Sequence, residues 1–132
     1  MERQLELVLA VVLMDVDGLG GIRLRAEDDD WLGMEGVATA MLRWPDGSGR
    51  GVQVALDQEF GTQVAMLADQ VQEEVVEALW HAGRPTNWPR CPRHPHTHPL
   101  AAAEHGGRAY WKCPAGGELI SEIGRLGATP RG

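Results

Sequence analysis

The sequence predicts an α+β fold: a helix, a three-stranded antiparallel sheet and a second helix, followed by a small β-hairpin. Three observations predict it. Apolar residues recur at helical spacing in two places, near the start and again in the middle of the chain. Between them lie three short strand-like runs, two of them separated by the turn sequence Pro45-Asp46-Gly47-Ser48-Gly49. After the second helical pattern comes a Pro- and His-rich stretch bounded by the only two cysteines, Cys91 and Cys113.

The first helix is expected over residues 2–17. Leu5, Val8, Leu9, Val12, Leu13 and Val16 repeat at spacings of three or four, with Gln4, Asp15 and flanking charges assigned to a polar face. Val8, Val11 and Val12 would also suit a strand, and the polar face decides for a helix. Gly18, Gly20 and Gly21 stop it. Residues 21–27 alternate as a half-exposed strand, and Asp28-Asp29-Asp30 reads as a solvated turn. Residues 36–44 and 50–57 form the hairpin around the Pro-Asp-Gly turn. The second helix is expected over residues 59–82. Phe60, Val64, Leu67, Val71, Val75 and Leu79 make its apolar stripe, and Gln70, Glu73, Glu74 and Glu77 make an opposite, solvated face. His81 suits the negative end of the helix dipole, and Gly83 ends the helix.

Residues 83–90, with two prolines, mark a boundary between a core domain, 1–84, and a C-terminal unit, 85–132. The order helix, three strands, helix resembles the double-stranded-RNA-binding fold in topology. The second helix, however, carries acids where that fold holds phosphates with Lys and Arg.

Composition narrows the partners. The chain has 132 residues, 43% of them hydrophobic, and a formal net charge of −7, which suits a small globular protein. The charge is uneven. Residues 1–30 carry eight acids and three bases, residues 31–90 eight and four, and residues 91–132 three and five. An acidic body repels nucleic-acid phosphates and favours a basic partner. The apolar run from Leu7 to Met14 is too short to span a bilayer and has acids on both sides. A cytoplasmic location is therefore expected, where reduced thiols bind metal rather than each other.

Four of the five histidines (His94, His96, His98 and His105) lie between Cys91 and Cys113. Thiolate sulfur and imidazole nitrogen are the donors that a tetrahedral Zn²⁺ selects. Cys91-Pro92-Arg93-His94 lets two side chains of one tight loop meet at one ion. His94, His96 and His98 alternate, so in extended backbone all three point to one side. Residues 99–104 and 108–112 read as strands around His105-Gly106-Gly107. If the loop is His105-Gly106, position 98 lies opposite position 113, about 5 Å away. A Gly106-Gly107 turn would shift that register. The expected ligand set is Cys91, His94, His98 and Cys113, with His96 as competitor to His98. Two thiolates balance the ion's charge. The ion supplies order that a 40-residue unit cannot draw from apolar burial alone, and Trp88 and Trp111 are expected to pack over the loop.

The pattern W-P-x-C-P-x-H-P-x-x-H-P-L, then G-R-A-x-W-x-C-P, then I-G, resembles uncharacterised small actinobacterial and actinophage proteins with a zinc-ribbon-like C-terminus. The matching stretch runs from Trp88 to Gly124. The resemblance implies metal binding and no particular activity.

Catalytic signals are sparse. There is no H-E-x-x-H and no H-x-E followed by P-C-x-x-C. Gly18-Leu19-Gly20-Gly21 opens no βαβ unit. Asp15-Val16-Asp17-Gly18 begins like a calcium loop, but the twelfth position is Ala26. The expectation is a structural zinc in a non-enzymatic protein-interaction module, an adaptor or accessory subunit of a bacterial complex. The alternatives are nucleic-acid binding through Arg90, Arg93, Arg108 and Lys112 with Trp111, and a zinc-dependent hydrolase, for which Glu104 is the nearest acid.

Overall fold

One helix serves two sheets in the computed structural model, which describes residues 1–128. The chain is α+β, with helices α1 (Arg3–Asp17) and α2 (Phe60–His81). The first antiparallel sheet has the order β1 (Arg25–Asp28), β2 (Val37–Arg43), β3 (Gly49–Ala55). The second has the order β4 (Ala101–His105), β5 (Arg108–Lys112), β6 (Leu119–Glu122), and a 3₁₀ turn follows at Leu126–Ala128. α2 packs against β3 of the first sheet and against β4 and β5 of the second, with α1 beside it. No helix of the described residues is long and apolar enough to cross a membrane.

Both helices form where the apolar spacing predicts them. The carboxylate of Glu2 caps α1 by accepting from the Leu5 N–H at 3.0 Å. Leu5, Val8, Leu9, Val12 and Val16 are buried along α1, and Val64, Leu67, Val71, Val75 and Leu79 along α2. Phe60, assigned to that stripe, is the first residue of α2 and is 44% exposed. Two polar assignments also change. Glu74 is buried, not solvated: its carboxylate accepts from the Trp44 indole N–H at 2.5 Å and lies 3.6 Å from Arg50. Asp15 is buried in α1 rather than standing on its polar face. Gln63 is fully buried and satisfied, accepting from the Gln4 amide and donating to the Ala55 carbonyl at 2.9 Å.

The β2–β3 hairpin runs in register from Val37↔Ala55 to Arg43↔Gly49. Asp46 accepts from the Ser48 N–H and hydroxyl within its turn. β1 begins at Arg25 rather than at residue 21, because its partner β2 ends at Arg43, opposite Arg25, where the Trp44-Pro45 turn begins. Asp28 pairs with Ala40 and so belongs to the strand.

The expected C-terminal hairpin is two strands of a three-stranded sheet. Its turn is Gly106-Gly107, with φ of 60° and 84°, values that a two-residue type I′ loop demands and glycine supplies. After Cys113 the chain reverses through a second tight turn, in which Gly117 N–H donates to the Cys113 carbonyl at 2.8 Å. It returns as β6, pairing Tyr110↔Glu122 and Trp111↔Ser121. The first turn of α2 abuts the β4–β5 turn so closely that a Cβ on Gly61 would overlap the Gly107 carbonyl. The buried apolar residues of both sheets and both helices form a single cluster, which includes Trp88, Cys91, Leu100, Trp111 and Cys113.

Candidate metal centre

Two loops meet to make the site. The first is closed at its neck by the bridge Arg90↔Pro99 and by Leu100 N–H donating to the Pro89 carbonyl at 2.7 Å. Within the neck the chain makes two successive turns, His94 N–H to the Cys91 carbonyl and Thr97 N–H to the His94 carbonyl, each at 3.2 Å. The Gln72 amide on α2 donates to the carbonyls of Trp88 (3.1 Å) and Leu100 (2.7 Å), pinning both flanks of the loop to the helix. The second loop follows β5. Cys113 N–H donates to the Glu118 carbonyl at 2.9 Å, and Gly116 N–H points at the Cys113 sulfur at 3.4 Å. Arg93 of the first loop faces Glu118 of the second at 3.9 Å.

These loops bring Cys91, His94, His98 and Cys113 together, with their ligand atoms all within 4.8 Å of one another. Both sulfurs are fully buried and both imidazoles half-buried. His94 Nδ1 lies 3.5 Å from the Cys113 sulfur and 3.8 Å from that of Cys91. A tetrahedral centre with Zn–S of about 2.3 Å and Zn–N of about 2.0–2.1 Å places adjacent sulfur and nitrogen about 3.6 Å apart. The observed edges bracket that length.

His98 supplies independent evidence of fit. Its Nδ1 lies 3.1 Å from the Pro99 carbonyl, which can only accept, so the ring proton sits on Nδ1. In the neutral ring this leaves the lone pair on Nε2, an atom that is buried without a hydrogen-bond partner. A buried imidazole nitrogen grouped with two thiols and a second imidazole has the chemistry of a metal ligand. The four residues can hold one soft or borderline divalent ion, His94 through Nδ1 and His98 through Nε2.

The route to His98 differs from the one its strand register suggests. With Gly106-Gly107 as the turn, Ala101 faces Lys112, and extending the ladder sets Leu100, not His98, across from Cys113. His98 reaches the cluster from inside the loop neck. His96 is exposed, lines a cleft with Asn87 and Pro85, and stays outside the cluster. His81 is exposed at the end of α2, 3.8 Å from Glu77, and His105 is exposed at the β4–β5 turn. Glu104 accepts from Gly107 N–H at 2.7 Å, capping that turn. Among the described residues no carboxylate joins the four ligands.

Trp88 and Trp111 pack beside the loops, edge to face, with ring centroids 5.8 Å apart. Trp111 is fully buried, and its indole N–H donates to Asp15 at 2.8 Å. The same carboxylate accepts from Gly124 N–H at 2.7 Å and Leu126 N–H at 3.0 Å. Asp15 thus ties α1 to β5 and to the end of β6. Reading Asp15 as polar-face overlooked its spacing: it lies three residues after Val12 and one before Val16, on the buried stripe.

Comparisons of the chain with protein-family models, with curated proteins and with solved structures find no match.

Proposed function

We propose that the chain is a zinc-stabilised, non-enzymatic protein-interaction module, an accessory or adaptor subunit, whose C-terminal unit is a zinc-ribbon-like element built on the Cys2His2 cluster. The observation that carries the metal reading is the convergence of Cys91, His94, His98 and Cys113, with ligand atoms all within 4.8 Å of one another and a buried His98 Nε2 that has no hydrogen-bond partner. Zinc is the ion of choice because two thiolates and two neutral imidazoles in tetrahedral spacing match its preferences and balance its charge. Four protein donors leave no open position for a reacting water, which favours a structural ion over a catalytic one. Reduced thiols as ligands suit a reducing compartment such as the cytoplasm.

The nucleic-acid alternative loses its aromatic platform to burial: Trp111 has no exposed face. Of the four cations it would use, Arg93 and Arg108 already face Glu118 and Glu122.

Metal analysis of the purified protein tests the reading. Wild type should carry one equivalent of zinc, His96→Ala should retain it, and His94→Ala and His98→Ala should lose most of it. Cobalt substitution should give the intense absorption of tetrahedral thiolate ligation. A protein with no bound metal and a Cys91–Cys113 disulfide would overturn the proposal.

A further inference from the structure

The interaction reading needs a surface, and the two tryptophans of the C-terminal unit cannot provide it, because both are buried. The exposed aromatic lies elsewhere. Trp80, at 73%, is the most exposed large apolar side chain among the described residues. It follows Glu73 and Glu77 at i+7 and i+3 on α2, so the three share one stripe. Beside that stripe a cleft of about 740 Å³ separates the last turns of α2 from the β2–β3 turn. Trp44, Pro45, Ala78 and Ala82 make it apolar, and Asp46 and Glu77 stand at its rim.

Acids predominate around the cleft, while Arg23, Arg25 and Arg43 lie on the other side of Trp44 and Pro45. Glu73, Glu74, Glu77 and Asp46 face this region, and the cation among them, Arg50, is already shared between Glu73 (3.8 Å) and Glu74 (3.6 Å). His81, the other titratable group, lies beside Glu77. Such a surface repels phosphates. It also repels a second copy of a chain whose formal net charge is −7. It attracts cations, and an exposed indole next to an apolar slot is the kind of anchor on which protein interfaces concentrate their energy.

We propose that this cleft and the Trp80 stripe are the docking surface for a basic amphipathic protein segment, one apolar side chain entering the cleft while flanking Lys or Arg side chains meet Glu77, Glu73 and Asp46. The proposal rests on the interaction-module reading and gives the partner its chemistry. Acidic side chains at the rim set approach rate and salt sensitivity, and the tryptophans set residence time.

Selection of random displayed peptides on the full-length, metal-loaded protein tests it. Enriched sequences should combine a bulky apolar residue with two or more Lys or Arg in a short span. A synthetic peptide of the consensus should bind at least about tenfold more weakly to Glu77→Lys and to Trp80→Ala, and should weaken as salt rises, while His96→Ala binds like wild type. Both variants change exposed side chains, so unchanged metal content and melting temperature should accompany the loss. Consensus peptides that bind both variants as tightly as wild type, or that lack basic residues, would overturn the docking surface and leave the module reading intact. If nothing is enriched, the docking surface for a basic segment falls, and the module reading is decided by its metal content.

Discussion

The two sheets are held in different ways. The first buries Ala38, Ala40, Leu42, Val52 and Val54 against the helices, so its order is spread over many interchangeable apolar contacts. The second buries two tryptophans and both cysteines among fewer aliphatic side chains, and it is fixed at discrete points. These are three hydrogen bonds to Asp15, two from Gln72, and the four ligands of the metal cluster. Dispersed apolar packing degrades gradually under substitution. Point fixation fails at single atoms, because removing one partner strands the others in a low-dielectric interior. The second sheet is therefore where single perturbations should have the greatest effect.

On the proposed zinc reading, removing the ion is the largest such perturbation. Structural zinc binding contributes about 10–16 kcal/mol in small zinc domains, comparable with the whole stability of a typical domain, about 5–15 kcal/mol. Chelation, or Cys113→Ala, should abolish amide-exchange protection in β4–β6 and lower the melting temperature markedly. Amides of β2 and β3 should keep more of their protection, since no ligand lies in that sheet. Equal loss in both sheets would show that the shared core melts as a unit, and unchanged protection in the second would show that no ion organises it.

Next in size is the Asp15–Trp111 contact, which joins the two regions across 96 residues of sequence. Trp111→Ala should cost about 3–5 kcal/mol, as for other buried large aromatics. Asp15→Ala removes the acceptor for three N–H groups and should cost about 2–4 kcal/mol, since each buried donor left unpaired costs about 1–3 kcal/mol and water will recover part of it. The direct term is isolated by combining Asp15→Ala with Trp111→Phe, which keeps an aromatic ring and deletes the N–H. Denaturant unfolding of the four proteins should give a coupling of about 0.5–3 kcal/mol. Strict additivity would mean that Asp15 acts only through Gly124 and Leu126.

The same contrast decides what the sequence discloses. Apolar periodicity and turn chemistry are local, and they locate α1, α2, the β2–β3 hairpin and the β4–β5 pair to within a few residues. Cys91-x2-His94 is also local, and it points to the cluster. What the local patterns miss is set by tertiary pairing. β6 exists because Cys113–Gly117 turns the chain back onto β5, and nothing in Leu119-Ile120-Ser121-Glu122 alone announces that partner. His98 lies among the ligands through a loop neck, not through the strand register that singles it out from His96. Asp15 and Glu74 look like solvated charges because type alone suggests exposure. Each is buried because an indole N–H on another element needs an acceptor.

The smallest effect belongs to the first sheet and has the opposite character. Glu27 on β1 accepts from Arg25 and, at 3.0 Å, from Arg43 on β2, and these guanidinium groups hold its carboxyl below its ordinary value of 4.5, Arg25 most strongly. A depressed folded-state value means that the ion pair adds stability above pH 4.5, where the unfolded chain is also ionised. That stability is lost as pH falls from 4.5 through the lower folded value. The group is solvent-exposed and screened, so the gain is slight at physiological salt. An NMR titration of the Glu27 side chain should find its midpoint below 4.5 and rising toward it in Arg25→Met. Arg43→Met should give a smaller rise, and added salt should act in the same direction. Because the cluster is an exposed ion pair on an apolar sheet, Glu27→Gln should leave amide protection across β1–β3 nearly unchanged at neutral pH. Substantial unfolding of β1 in that variant would mean that the first sheet, too, depends on point fixation, and the contrast between the two regions would disappear.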